Sequence, residues 1–234
     1  MPYAVISGAT QGIGRAIATK FLENGYAIAI CARTQADLDA AQKEWKEKYP
    51  TAQILTHSTD VSKKEDVMAF ANEVLKTFPQ IDVLVNNAGT YYPGSLATEP
   101  DGNLESLMAI NMYSAYHLTR QLLPAMKQAG SGHIFNMCSV ASLKAYENGG
   151  AYSVSKYAML GFSENLREEL KPFNIKVTAV CPGATYSRSW EGSSHLQHKM
   201  LQAADVAEMV WSAANLSPAA CVETIVIRPI SGDL

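Results

Sequence analysis

The chain reads as a doubly wound α/β domain, a parallel sheet with helices on both faces in three layers, and three observations predict it. Strand-like apolar runs alternate with helical periods along its length, a pattern that calls for right-handed crossovers between parallel strands. The first run, Tyr3–Ser7, passes straight into Gly8-Ala9-Thr10-Gln11-Gly12-Ile13-Gly14 and then into an apolar-periodic segment, a succession of strand, glycine loop and helix. Residue types that carry chemistry recur just after strand-like runs, where ligands bind in open sheets of this kind.

Taken in order, the first strand at 3–7 leads through the glycine loop to a helix over 15–24. Further strands are expected at 27–31, 53–58, 81–86, 133–138, 176–181 and 223–228. Thr34 is a candidate cap for the helix after the second strand, and Ser62 with Glu65 has the spacing of a capping box before a helix over 67–78. Asp205 is a candidate cap for the last helix. Ala151, Val154, Ala158, Phe162, Leu166 and Leu170 recur at helical spacing and predict one buried stripe. No linker, repeat or low-complexity tract interrupts the 234 residues, so a single domain over 1–234 is expected, and 47% hydrophobic content is ample for its core.

Composition excludes several function classes. A formal charge of -3, with acidic and basic residues interspersed, gives no electrostatic footprint for nucleic acid or an anionic membrane surface. No apolar run approaches bilayer length, and a strand starting at Tyr3 leaves no room for a signal peptide, so a cytoplasmic protein is expected. Cys31, Cys138, Cys181 and Cys221 lie in or beside predicted strands and lack close pairs, which predicts buried reduced thiols. His195 and His198 are three apart without a third convergent ligand, and no metal is assigned.

Two local patterns point to chemistry. Gly8 permits a tight turn, Gly12 lets the backbone approach a pyrophosphate, and Gly14 lets the helix pack closely on the strand, with helix N-terminal amides facing the anion. The spacing, G-x-x-x-G-x-G, differs from the commoner G-x-G-x-x-G. At the other end of the chain, Tyr152 and Lys156 are one helical turn apart and share a face. A phenol titrates near 10, and a fixed neighbouring cation makes it a workable acid and base nearer neutrality.

With these residues in place the chain resembles the short-chain dehydrogenase/reductase family in its single-domain form. The resemblance runs nearly end to end: the glycine loop, Asp60-Val61, Asn86-Asn87-Ala88-Gly89, Asn111, Ser139, the Y-x-x-x-K of Tyr152 and Lys156, and Pro182-Gly183 follow one another in the family's order. It implies a Rossmann-type sheet of order 3-2-1-4-5-6-7 and a homodimer built from the helices carrying Asn111 and Tyr152, often doubled to a tetramer. It also implies site roles. Tyr152 is the general acid in carbonyl reduction, Ser139 holds the reacting oxygen, Lys156 tunes the phenol and grips the nicotinamide ribose, and Asn111 anchors a water in the proton path. Ser142 competes with Ser139 on residue type, but spacing to Tyr152 favours Ser139.

The same resemblance assigns NADP(H) to the glycine-loop residues Gly8, Thr10, Gln11, Gly12, Ile13 and Gly14, to Asp60 and Val61 at the adenine, and to Asn87, Ala88 and Gly89 beside the ribose. Pro182, Gly183, Thr185 and Ser187 should border the nicotinamide. Arg33 follows the second strand, preceded by Ala32 and not by an acid, which predicts a guanidinium for the 2′-phosphate and a preference for NADPH. Within the family, the C-terminal part looks like bacterial sepiapterin reductase-type members, implying reduction of a small ketone or diketone, with a pteridine as first choice. A 3-oxoacyl-carrier-protein reductase is the enzymatic alternative and an NADP-binding redox sensor the non-enzymatic one. Tyr91, Tyr92 and Trp190 are candidate clamps for a flat substrate ring, and Glu147 a candidate partner for an amino-pyrimidine edge.

Overall fold

In the computed structural model, which describes residues 1–186 and 194–232, the strands are β1 (Tyr3–Ser7), β2 (Ala27–Ala32), β3 (Ile54–Ser58), β4 (Val83–Asn86), β5 (Gly132–Met137), β6 (Ile175–Pro182) and β7 (Thr224–Ile227). All pair in parallel in one sheet of order β3-β2-β1-β4-β5-β6-β7, the order the family resemblance implies. The central strands are buried along nearly their whole length, as expected when helices cover both faces.

Side-chain alternation along β1 sorts those faces. Ala4 and Ile6 point into a core shared with α1 (Gly12–Glu23), α2 (Gln35–Lys48) and α7 (Ala203–Ala214), whereas Val5 points into a second core with α3 (Lys64–Thr77), α5 (Ser114–Ala129) and α6 (Gly150–Leu170). The chain winds outward from β1 through β2 to β3, then returns to place β4 on the other side of β1. Loops leaving β1 and β4 therefore diverge, and a cleft opens at their carboxyl ends. Among the described residues, no helix is long and apolar enough to cross a membrane.

Several local expectations are corrected. The helix predicted at 15–24 starts at Gly12, so the glycine loop runs into its first turn. The Ser62–Glu65 capping box does not form: Lys63 occupies the N-cap of α3 without a side-chain bond, and the Ser62 hydroxyl donates instead to Asp60 Oδ1 at 2.7 Å. Asp60 Oδ1 also accepts the Ser62 N–H at 3.1 Å, so a turn closed by the aspartate stands where the box was expected. Thr34 stands at the N-cap of α2 but makes no side-chain capping bond. Gln202, not Asp205, is the N-cap of α7, and Asp205 reaches back to accept from the Gln202 N–H at 3.2 Å.

The predicted stripe on α6 also splits. Ala151, Leu166 and Leu170 are buried, but Val154 is exposed and Ala158 and Phe162 are only half-buried. The inward face instead runs through Ser155, Met159 and Ser163. Small polar residues are accepted there because they have partners: Ser163 Oγ donates to Met159 O and accepts from Asn136 Nδ2, each at 2.9 Å. The thiols of Cys31, Cys138 and Cys181 are buried and Cys221 is half-buried, all four unbridged. Burial pushes the Cys31 thiol up to about 12.

Candidate active site

The first side chain of the site belongs to Asn87, beyond β4. Its Nδ2 donates to Ser7 O at 3.0 Å and Gly8 O at 2.8 Å, while Ser7 Oγ accepts from the Asn87 and Ala88 N–H groups at 3.0 Å each. These bonds staple the end of β4 to the glycine loop. Gly8 holds φ 67°, and a Cβ there would lie 2.9 Å from Ala88 Cα; one on Gly14 would collide with the Asn87 side chain and Gly8 O. Both glycines are therefore required by close backbone approach. Gln11, the N-cap of α1, makes no side-chain capping bond, which leaves the first helical amides open to an anion. Ser7 had no signal in the sequence beyond ending a strand.

A cavity of about 970 Å³ runs from this loop across the carboxyl ends of the sheet. Gly8, Thr10, Gln11, Gly12, Ile13, Gly14, Arg33, Asp60, Val61, Asn87, Ala88 and Gly89 line one part of it; Ser139, Tyr152, Lys156, Pro182, Gly183 and Thr185 line the other. Arg33 is exposed at the rim. Arg15, the other cation near the loop, is engaged: its guanidinium donates to Thr10 O at 3.2 Å, pairs with Glu44 at 2.5 Å and sits 5.7 Å from the Trp45 ring centroid. Hydrogen bonds from Ser62 hold the Asp60 carboxyl below the ordinary range, with a smaller pull from Lys63 and Arg33.

At the other end of the cavity, α6 presents Tyr152 and Lys156 on one face. Lys156, 6% exposed, donates from Nζ to Met137 O at 2.9 Å, and Nζ stands 5.8 Å from the Tyr152 ring centroid. Ser139 caps the short 3₁₀ turn Val140–Ser142, its Oγ accepting the Ala141 N–H at 3.1 Å. A helix-cap role and a position on the cavity wall therefore coexist, and the Ser139 O–H remains to donate inward. Ser142 is fully buried off the cavity, its Oγ accepting the Ser139 N–H.

Asn111 lies in a π-helical turn, Ala109–Tyr113, between α4 (Asn103–Met108) and α5. Such turns reposition one residue within a helix and are common at functional sites. Its side chain is engaged behind the cavity wall: Oδ1 accepts the Thr90 N–H at 2.8 Å, and Nδ2 donates to Thr90 O and Ser155 Oγ at 3.0 Å each. Asn111 thus ties the loop after β4 to α6.

Toward the mouth, the Tyr91 ring meets that of Tyr152 edge-on, centroids 4.7 Å apart, and Tyr92 lines the cavity from a more exposed position. Glu147 is exposed and does not line the cavity; the turn that carries it turns Tyr146 toward the cleft in its place. Thr185 Oγ1 donates to Gly183 O at 3.0 Å. Ser187 and Trp190 fall outside the described residues. Tyr146 and Arg228 also line the cavity; neither was singled out from the sequence, because a loop tyrosine and a strand-end arginine have no periodicity to mark them. Among the described residues, no cluster of three His, Cys, Asp or Glu side chains could hold a metal ion.

Comparison with known proteins agrees with this geometry. A family model described as short chain dehydrogenase matches residues 2–197. A sepiapterin reductase of Chlorobaculum tepidum is 32% identical over 98% of this chain and 97% of its own. A diacetyl reductase ((S)-acetoin forming) of Staphylococcus epidermidis is 32% identical over 80% of this chain and 73% of its own. Among solved structures, a metagenomic short-chain oxidoreductase in complex with NADP is 31% identical with a TM-score of 0.84, covering 97% of this chain and 96% of that one. An alcohol dehydrogenase from the archaeon Thermococcus sibiricus, complexed with 5-hydroxy-NADP, is 28% identical with a TM-score of 0.90, covering 98% and 97%. A family model over most of the chain and a relative 32% identical along nearly its whole length show that the chain belongs to the short-chain dehydrogenase family of oxidoreductases.

Proposed function

We propose that the protein is an NADPH-dependent reductase of a small ketone or diketone, with a pteridine as the leading candidate substrate. The observation that carries this reading is the continuity of one cavity from the glycine loop to Tyr152. Its shape suits a dinucleotide at three points: the backbone cradle that a Cβ on Gly8 or Gly14 would fill, the open amides of α1, and Arg33 at the rim. The loop would hold the pyrophosphate, Arg33 the 2′-phosphate, and Lys156 the nicotinamide ribose. When bound, NADPH supplies the hydride.

The chain's own residues manage the proton. Ser139 donates a hydrogen bond to the carbonyl oxygen and fixes it beside Tyr152, whose phenol protonates that oxygen as charge develops on it. The Lys156 ammonium stabilises the phenolate left behind. Asn111 acts as a positioning residue, holding Thr90 and Ser155 so that the loop after β4 and the catalytic helix keep their spacing. A redox sensor without turnover has no need of this complete set.

Relatives named for reducing sepiapterin and diacetyl support a compact, oxygen-rich substrate over a long acyl chain. The cleft mouth, lined by Tyr91, Tyr92 and Tyr146, favours the same choice. Exposed Val154 and Tyr157 on α6, with Tyr113 beside it, offer the face for a homodimer; a monomeric mass in sedimentation would remove that assignment. The functional test follows NADPH oxidation across diketones, hydroxyketones, pterins and acyl thioesters. Turnover is expected with the compact carbonyls. Tight NADPH binding with no oxidation by any of them would sink the reductase reading in favour of a sensor.

A further inference from the structure

Tyr146 lines the cavity but was not singled out in the sequence and takes no part in the proton chemistry above. It sits in the turn between the 3₁₀ segment after β5 and α6, six residues before Tyr152, and its placement is determined by contacts distant in sequence. Gly94 N–H donates to Asn148 O at 3.0 Å, and the Glu99 carboxylate accepts the Ala151 N–H at 3.3 Å, so the loop after β4 is bonded to the entrance of α6. Asn148 at φ 58° and Gly150 at φ 42° turn the chain there, and a Cβ on Gly150 would collide with Gly94 O. Gly149 leaves room for the ring: its N–H donates to Tyr146 O at 3.1 Å, and a Cβ on it would stand 3.0 Å from Tyr146 Cε1.

The two lips joined in this way place Tyr91 and Tyr146 on the wall of the cavity that holds Tyr152, with Tyr91 packed edge-on against Tyr152 and Tyr146 neighbouring both phenols. Each phenol keeps an O–H to donate to a ligand. Partial burial, then the neighbouring phenols Tyr91 and Tyr152, push the half-exposed Tyr146 above the ordinary phenol range, so it stays a neutral donor at any physiological pH.

We propose that Tyr146 and Tyr91 form a second hydrogen-bonding station in the cleft, one that selects carbonyl substrates bearing another oxygen on the carbon beside the reacting one. Vicinal diketones and α-hydroxyketones have this pattern. The inference rests on the reductase reading and deepens it: Ser139 and Tyr152 take the reacting oxygen, and the phenol pair, one ring contact away, takes its neighbour. A substrate lacking the second oxygen displaces water from that donor without replacing its bond, which is how a polar station discriminates more sharply than an apolar pocket.

The test measures kcat/KM for butane-2,3-dione and for butan-2-one, at saturating NADPH, in the wild-type enzyme and in Tyr146→Phe. The dione-to-monoketone ratio is expected to fall about tenfold in the variant, in line with the loss of one hydrogen bond to the substrate. A ratio within about twofold of wild type, whether both substrates suffer or neither does, would overturn the second station and leave Tyr146 a packing residue of the lip. Tyr91→Phe reports on the same pair from the other side and is expected to lower the ratio likewise, so a Tyr146→Phe protein that fails to fold still leaves a decisive measurement. A wild-type enzyme that binds NADPH but reduces neither ketone, nor any other carbonyl, overturns the reductase reading itself, an outcome distinct from an unchanged ratio.

Discussion

Strand β5 has a polar side chain at each end, and their surroundings differ. At the amino end His133 is sealed in: Nε2 lies 2.7 Å from Thr178 Oγ1, that hydroxyl donates to Val222 O at 2.5 Å, and the ring stacks on Phe135 at 3.9 Å. Because the threonine proton goes to Val222, its oxygen accepts from an Nε2–H, and Nδ1 is left buried without a partner. The imidazole is thereby held neutral: burial, aided by Lys176, pushes its pKa down to about 3. Just beyond the carboxyl end, Ser139, Tyr152 and Lys156 face a cavity and keep hydrogen-bonding capacity in reserve. The difference teaches where this fold puts polarity to work. Polar groups at the closed end fix strand pairing, and those at the open end, where the loops after β1 and β4 diverge, are available to a ligand.

The comparison breaks first at Tyr152. Tyr152→Phe removes one hydroxyl from the open end and is expected to lower kcat by about 10²–10⁴-fold, with the melting temperature and NADPH affinity nearly unchanged. Lys156→Ala differs, because its ammonium also bonds Met137 O; kcat, NADPH affinity and stability should all fall. Steady-state kinetics with fluorescence titration of NADPH separates the two. Retention of most turnover in Tyr152→Phe would remove the proposed proton donor.

A smaller effect sharpens the account of the cofactor rim. With Arg15 engaged by Glu44 and Thr10, Arg33 is the guanidinium assigned to the 2′-phosphate, and a charged hydrogen bond of that kind is worth roughly 1.5–3 kcal/mol. Arg33→Ala should cut the preference for NADPH over NADH by about ten- to a hundredfold in kcat/KM. An unchanged preference would return the selection to another residue of the loop.

The smallest expected effect lies at the closed end and concerns stability alone. The folded pKa of His133 is depressed below the ordinary 6.5, so the unfolded chain takes up a proton that the folded chain refuses as pH falls. The stabilisation is present above pH 6.5 and is lost progressively as pH falls toward 3, at roughly 1.4 kcal/mol per pH unit for one proton. Between pH 6.5 and 5, before most carboxylates titrate, urea unfolding of His133→Phe should lack this slope while its kcat at pH 7 matches wild type. Identical slopes in the two proteins would mean that the ring is not held neutral in the fold.

Much of this was legible in the chain. Alternating strand and helix patterns located all seven strands to within about two residues, since runs of branched apolar residues bounded by glycine and polar turns have few other uses. The site residues that could be read were those whose partners lie within a turn or two of chain: the glycine loop, and Tyr152 with Lys156. The errors share a cause as well. Ser62 fits a capping pattern, but the Asp60 carboxylate two residues earlier accepts both its N–H and its hydroxyl and closes the turn itself. The α6 stripe mixed two faces because Val154 and Ser155 exchange the roles their polarity suggests: the serine bonds Asn111 inside, and the valine faces outward.

The sequence by itself determined the α/β class and the placing of Tyr152 and Lys156 on one helix face, because each depends on periods of two or about four residues that local geometry imposes. Only the tertiary structure decided that Asn87 and Ser7 lock the glycine loop, that Asn111 reaches Thr90 and Ser155, and that Tyr91 and Tyr146 share a cavity wall with Tyr152. The hydrogen bonds among these residues span from 21 to 81 residues of chain. No local pattern encodes them; they exist because a parallel sheet gathers the carboxyl ends of distant strands along one edge and leaves their loops to find partners there.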